Sequence, residues 1–222
     1  MDSEQWKAIK KKGIFPTVTS KEDYVLKMGE GIMDAITYQQ SAANFIPNAE
    51  TLKTIHYNIF KKVTPWAGKF TPNPLITNGY ITCDPRLLEK ELNRLGTAWE
   101  VFDVDKKNPQ EIAKAIAFTG ARILRLHPFL DGNKRTICTT ITRLTELHLP
   151  LVNPIQQMST ALFEARKGNI KPLGTSILNA CDIPNVLAFN WTLPSTIVPP
   201  QPEALEELEK LKNEVPETIC LL

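Results

Sequence analysis

Residues 110–147 place the strongest constraint on the fold. Two helical stretches flank a short turn that reads His127-Pro128-Phe129-Leu130-Asp131-Gly132-Asn133-Lys134-Arg135. The first stretch predicts a helix from Gln110 to about Leu126, with Ile112, Ala115, Ile116, Thr119, Ile123 and Leu126 inward. The second predicts a helix from about Asn133 to Leu147. It is dense in Thr and Ile, whose branched side chains make poor helix formers. Packing must therefore hold it, which places it in the centre of the molecule. A chain of 222 residues is long enough to bury such a core without staples.

The rest of the chain supplies partners. Ser20 is a candidate N-cap with Asp23 three residues on, close to a capping box. The helix after it runs to about Ala42, with Tyr24, Leu26, Met28, Ile32, Met33 and Ile36 as its apolar positions. Asn48 opens another helix, in which Leu52, Ile55, Ile59 and Phe60 form a stripe before a stop near Lys62. Pro72 and Pro74 exclude helix. Leu75 to Thr82 predicts a β-hairpin, because Asn78-Gly79 suits a type I′ turn. Asp84-Pro85 starts the next helix, with Leu87, Leu88, Leu92, Leu95 and Trp99 along one face. Residues 103–109 predict a polar loop, and residues 159–167 and 173–181 two further helices. Residues 3–12 predict a short helix, 192–202 a stiff proline-rich linker and 203–213 an amphipathic helix. The fold class is all-α with one hairpin. Its segments are an N-terminal extension over 1–40, a core over 41–190 and a linker with tail over 191–222.

Composition removes several functions. Lys and Arg number 26 and Asp and Glu 24, so a formal charge of +2 argues against nucleic-acid binding. No apolar run approaches the roughly 18 residues of a membrane span. The polar start has no apolar signal region behind it. Cys83, Cys138, Cys181 and Cys220 form no CxxC and read as reduced thiols of a cytoplasmic protein. Walker A, HExxH and GxSxG motifs are absent.

The turn at 127–135 concentrates the chemistry. The second helix begins inside it, so free backbone N–H groups and the positive end of the dipole form an anion site. Gly132 permits the tight backbone of such a nest. Asn133 and Arg135 add donors, and Asp131 adds a hard oxygen of the kind Mg²⁺ takes beside phosphates. His127 can serve as a general base near neutral pH. Together these residues describe a Mg²⁺–nucleotide phosphate site with a base beside it.

The same residues resemble the signature of the Fic/Doc (Fido) superfamily, HPFx(D/E)GNxRxxR. Ile55-His56, Phe60 and Trp66-Ala67-Gly68-Lys69-Phe70 are similar to an upstream region of Fic domains. The Asn78-Gly79 hairpin lies where the family has its flap. Residues 162–165 and 168–173 resemble its closing helices, and the resemblance covers roughly 40–185.

The resemblance implies a Fic-type helical bundle that moves AMP, or a related phosphate group, from ATP to a Ser, Thr or Tyr hydroxyl of a target protein. His127 would deprotonate the hydroxyl and Asp131 would hold Mg²⁺. Gly132, Asn133, Lys134 and Arg135 would bind phosphates, and Phe129 would anchor the turn. The flap residues Leu75, Ile76, Thr77, Tyr80, Ile81 and Thr82 would dock the target by strand addition. Three positions depart from the AMP-transferring pattern: Lys134 replaces a Gly, Cys138 a second Arg and Thr71 an Arg. The GNKRT combination is similar to the Doc branch, so a γ-phosphate transferase with an inhibitory antitoxin partner is one alternative. A nucleotide-binding interaction module is another. Glu30-Gly31 resembles the tail of an autoinhibitory motif, though position 26 is Leu. The location implied is cytoplasmic, or a host cell into which an effector is delivered.

Overall fold

The computed structural model describes residues 15–42, 44–77 and 80–184. The expected helix over 3–12, the Asn78-Gly79 turn itself, the proline linker and the helix over 203–213 lie outside these residues. Seven α-helices occupy the described chain: α1 Lys21–Ser41, α2 Ala49–Phe60, α3 Pro85–Glu100, α4 Pro109–Leu126, α5 Asn133–His148, α6 Met158–Arg166 and α7 Lys171–Ala180. A 3₁₀ turn, Val104–Lys106, lies in the expected polar loop. The one sheet among the described residues is a hairpin of β1, Ile76–Thr77, and β2, Tyr80–Ile81, with Ile76 opposite Ile81. Thr82 closes its open end, accepting from Leu75 N–H through Oγ1 at 2.7 Å and donating N–H to Leu75 O at 2.9 Å.

The helix starts follow the expected chemistry. Ser20, Asn48, Asp84 and Asn108 accept from backbone N–H groups of the first turns of α1, α2, α3 and α4. Asn108 and Glu111 complete a capping box, and α4 starts one residue earlier than expected, on Pro109. At Ser20 the box is displaced: the Asp23 carboxylate takes Thr19 N–H at 2.8 Å, one residue upstream of the cap.

Helix α5 sits where its weak propensity requires, against α4 on one side and α2 on the other. Its Ile137, Ile141 and Leu144 are fully buried. The buried threonines satisfy themselves. Thr136, Thr140 and Thr145 donate their hydroxyls to the carbonyls four residues back, Gly132, Thr136 and Ile141, at 2.8 to 3.1 Å. A threonine-rich centre thus carries no unmet hydroxyl along this helix face. Helices α6 and α7 close the bundle over α4.

Three apolar positions on two helices differ from expectation. Leu26 and Met33 on α1 are 63% and 61% exposed, and Leu87 on α3 is 48% exposed. α1 buries the expected Tyr24 and Met28 together with Gly31, Ala35 and Gln39. The cause is a close crossing: a Cβ on Gly31 would lie 2.1 Å from the Ile59 carbonyl oxygen of α2. Small residues face the neighbour where two backbones nearly touch, so the larger apolar side chains turn outward. Glu30 pairs with Lys62 at 2.9 Å near solvent and is not among the residues that line the cavity described below.

Candidate active site

The turn between α4 and α5 is held from behind. α4 ends at His127, whose φ of 48° and ψ of 59° are left-handed while its N–H still reaches Ile123 O at 3.0 Å. Few residues with a Cβ take this conformation, and it swings the His127 ring away from the helix axis. Phe129 plugs the turn into the core with no exposed surface. Gly132 has a φ of 79°, and a Cβ there would stand 2.3 Å from the Phe60 ring. Only glycine fits, because both the backbone angle and the space demand it.

His56 binds the turn to the rest of the molecule. It is 2% exposed and stacks between Phe129 at 3.9 Å and Phe60 at 4.6 Å. Its Nδ1 accepts from Gly68 N–H at 2.8 Å, which fixes the proton on Nε2, and that proton is donated to the Asp131 carbonyl at 3.0 Å. Burial lowers its pKa to about 4, so the ring is neutral. The segment Gly68–Thr71 adds two more braces. Phe70 meets Phe129 at 5.5 Å, and Thr71 N–H donates to the Pro128 carbonyl at 2.8 Å. The hairpin leaves the chain only four residues beyond that last bond.

Asn133 is expected to present its amide to phosphate. Its side chain is occupied instead: Oδ1 accepts from Phe129 N–H at 3.0 Å and Nδ2 donates to Phe129 O at 2.6 Å. What Asn133 offers a ligand is its backbone N–H. Gly132 provides no side-chain cap to α5, and Thr136 N–H is the first to find a helical carbonyl, that of Gly132. The N–H groups of Asn133, Lys134 and Arg135 precede it at the positive end of the helix dipole. Arg135 lies between two rings, its guanidinium carbon 5.8 Å from Phe60 and 5.9 Å from Tyr24 of α1. Lys134 is exposed at the rim.

In front of the turn opens a cavity of about 730 Å³. His127, Asp131, Gly132, Asn133, Lys134 and Arg135 all line it, so the sequence-derived site converges on one space. Of the flap, Leu75 and Thr82 do not line it. Burial, with the Arg166 guanidinium adding to it, lowers the His127 pKa to about 4, and the Leu124 carbonyl pulls weakly the other way. The ring is therefore neutral and able to accept a proton across the physiological range. Cys138 also faces the cavity, its thiol pKa raised by burial.

Sequence reasoning missed the remaining walls. Ile32, Ile36, Gln39 and Gln40 of α1 close one side, and Thr142, Arg143 and Glu146 extend the α5 wall. Arg166 enters from the end of α6, its carbonyl held by Arg125 Nε at 2.9 Å. The lining cations are Lys134, Arg135, Arg143 and Arg166, and the lining carboxylates Asp131 and Glu146, so the cavity is positive and suits an anion. No group of three or more potential metal ligands occurs among the described residues. Asp131 alone would suit Mg²⁺, which keeps most of its shell as water and substrate phosphate. No helix among the described residues is long and apolar enough to cross a membrane.

Residues 46–145 match the model of the Fic/DOC family. A protein of Sinorhizobium fredii named as a probable protein adenylyltransferase, y4lH, is 28% identical over 135 residues. That match spans 56% of this chain and 68% of the relative. The fold is also that of BepC, a VirB-translocated effector of Bartonella tribocorum solved with bound AMPPNP. The TM-score is 0.60 at 21% identity, covering 71% of this chain and 85% of that one. An N-terminal Fic domain of a Bep effector from Bartonella quintana, solved with bound ADP, gives a TM-score of 0.58 at 21% identity. It covers 71% and 83% of the two chains.

Proposed function

We propose that this chain, whose residues 46–145 match the Fic/DOC family model, acts as members of that family do and transfers AMP from ATP to a hydroxyl of a target protein. The observation that carries the reading is the convergence, in one positive cavity, of a neutral His127 and the uncapped N-terminus of α5. Two neighbours of the same fold were solved with adenine nucleotides, and a relative is named an adenylyltransferase.

The residues divide the work. The N–H groups of Asn133, Lys134 and Arg135 receive the phosphate oxygens, and Arg135, steadied between Tyr24 and Phe60, adds a fixed positive charge. His127 accepts the proton of the target hydroxyl. The hydroxyl oxygen then bonds to the α-phosphorus, the bond from that phosphorus to the β-bridging oxygen breaks, and pyrophosphate leaves with the electron pair. Asp131 would hold Mg²⁺, which when bound offsets phosphate charge. The Asp131 carboxylate is free to do so because His56 engages only its backbone carbonyl. The hairpin, tied near the turn through Thr71, would present a target segment by strand pairing. Two neighbours of the same fold are VirB-translocated effectors, and delivery into a host cell is the setting we assign to the transfer.

A second reading, γ-phosphate transfer, is favoured by one observation: Lys134 and Cys138 stand where AMP-transferring signatures carry Gly and Arg. Incubation with Mg²⁺ and ATP labelled at either the α- or the γ-phosphate separates the two. We expect α-label and the mass of one AMP on the protein or a target. His127→Ala should lower transfer by about 10²- to 10⁴-fold, the range a general base supplies. Label from the γ-position alone would replace the first reading with the second.

A further inference from the structure

Buried polar atoms without partners are rare in folded proteins and point to something that completes them. Among the described residues three side-chain atoms are of this kind: Thr64 Oγ1, His127 Nδ1 and Arg143 Nε. Two of the three belong to residues that line the same cavity, one at the turn and one far along α5. His127 belongs to the transfer site. Arg143 does not belong to the 127–135 turn at all.

Arg143 stands eight residues after Arg135 on α5, about 12 Å further along the axis. Its side chain is 15% exposed. Its one ion-pair contact among the described residues is Nη1 to Glu146 Oε2 at 3.5 Å, at the outer limit of a hydrogen bond. Glu146 is itself 41% exposed and weakened by solvent. A guanidinium offers five donors, and this one holds a single long contact. Between Arg135 and Arg143 the cavity face of α5 shows Cys138, Thr139 and Thr142, none of them charged at neutral pH. The α5 wall of the cavity therefore has two cationic centres, Lys134 with Arg135 and then Arg143, separated by an uncharged stretch. A lone phosphate satisfies one centre. A chain of phosphates satisfies both.

We infer that Arg143 forms a second anion subsite, which holds the terminal phosphates of a nucleoside triphosphate donor while its α-phosphate sits at the N-terminus of α5. This rests on the transfer reading above and deepens it. The helix geometry supports the reach, since side chains on a helix lean back toward its N-terminus, here toward the turn. Glu146 competes for the same guanidinium in the absence of ligand.

Calorimetry with Mg²⁺ on the full chain tests this, using AMP, α,β-methylene-ATP and inorganic pyrophosphate as probes. For Arg143→Gln we expect binding of the ATP analogue and of pyrophosphate to weaken about tenfold or more, as for loss of a charged hydrogen-bond donor. AMP binding should stay within about twofold. Glu146→Gln should tighten pyrophosphate binding, and Arg143→Lys should recover part of what Gln loses. Thermal melts of each variant control for folding, and Glu146→Gln supports the proposal even if Arg143→Gln misfolds. The subsite is overturned if AMP and the analogue weaken equally in Arg143→Gln. It is also overturned if neither changes, or if Glu146→Gln leaves pyrophosphate binding as it was. Arg143-dependent pyrophosphate binding by a protein that transfers no AMP would uphold the subsite and sink the transfer reading. Wild-type protein that binds neither pyrophosphate nor nucleotide would sink both.

Discussion

His56 and His127 flank the same turn and share a pKa lowered to about 4 by burial, yet they are opposite in kind. Both nitrogens of His56 are spent, on Gly68 and on Asp131, and both faces of its ring are stacked. His127 has a buried Nδ1 with no partner and a strained backbone, and it looks into the cavity. Burial alone therefore does not mark a reactive histidine. What marks it is burial with capacity left over. The wall behind the turn is completed by the fold, while the side facing the cavity keeps polar groups unspent.

This contrast breaks down if the two histidines respond alike to truncation. His127→Ala carries the largest expected effect, the 10²- to 10⁴-fold loss of transfer, with stability in urea changed by less than about 1 kcal/mol. His56→Ala should do the reverse in stability. It opens a hole between two rings and leaves the Gly68 N–H and Asp131 carbonyl unpaired, a cost of about 3 to 5 kcal/mol. Equal destabilisation by both substitutions would show that His127 is also a packing residue.

Acid sharpens the comparison next. For both rings the folded pKa lies below the ordinary 6.5, so between about 4 and 6.5 the unfolded chain binds more protons. The stability contributed by neutral burial is thus present above pH 6.5 and lost as pH falls toward 4. For His56 the loss approaches about 3 kcal/mol. In His56→Ala this part of the pH dependence should vanish from denaturation curves. His127 should add an acid limb to kcat/KM near pH 4. A limb near 6.5 would mean that its burial does not persist in the working enzyme. The smallest effect belongs to the threonines behind the site. Thr140→Val removes a hydroxyl that serves only its own helix, and the change in urea stability should stay under about 1 kcal/mol.

How much was readable beforehand follows the same division. Caps at Ser20, Asn48 and Asp84 were legible because a cap is a local event, decided within four residues. The stripe of α2 was legible because large apolar residues face the core there. On α1 the rule held for Tyr24 and Met28 and failed for Leu26 and Met33, since closeness at Gly31 decided which face turned in, and that depends on where Ile59 lies in another helix. His127, Asp131, Gly132 and Arg135 were legible because one short segment carries them. The brace by His56, the use of the Asn133 amide inside the turn, and the arrival of Arg166 and Gln39 all depend on helices meeting across the bundle. The nearest available signals were Ile55-His56 and Gly68, whose resemblance to an upstream region of Fic domains indicated no particular bond.

The tight seam at Gly31 also bears on how the protein can be divided. The family match begins at residue 46, after α1 has ended. Yet Tyr24 backs Arg135, and Ile32, Ile36 and Gln39 wall the cavity. Because α1 is pressed backbone to backbone on α2, that wall is built into the body of the molecule. A fragment cut to the boundaries of the family match would keep every residue of the turn and lose the α1 wall of the chamber they face, together with Glu146 and Arg166. The smallest working unit of this protein is therefore larger than the smallest recognisable one.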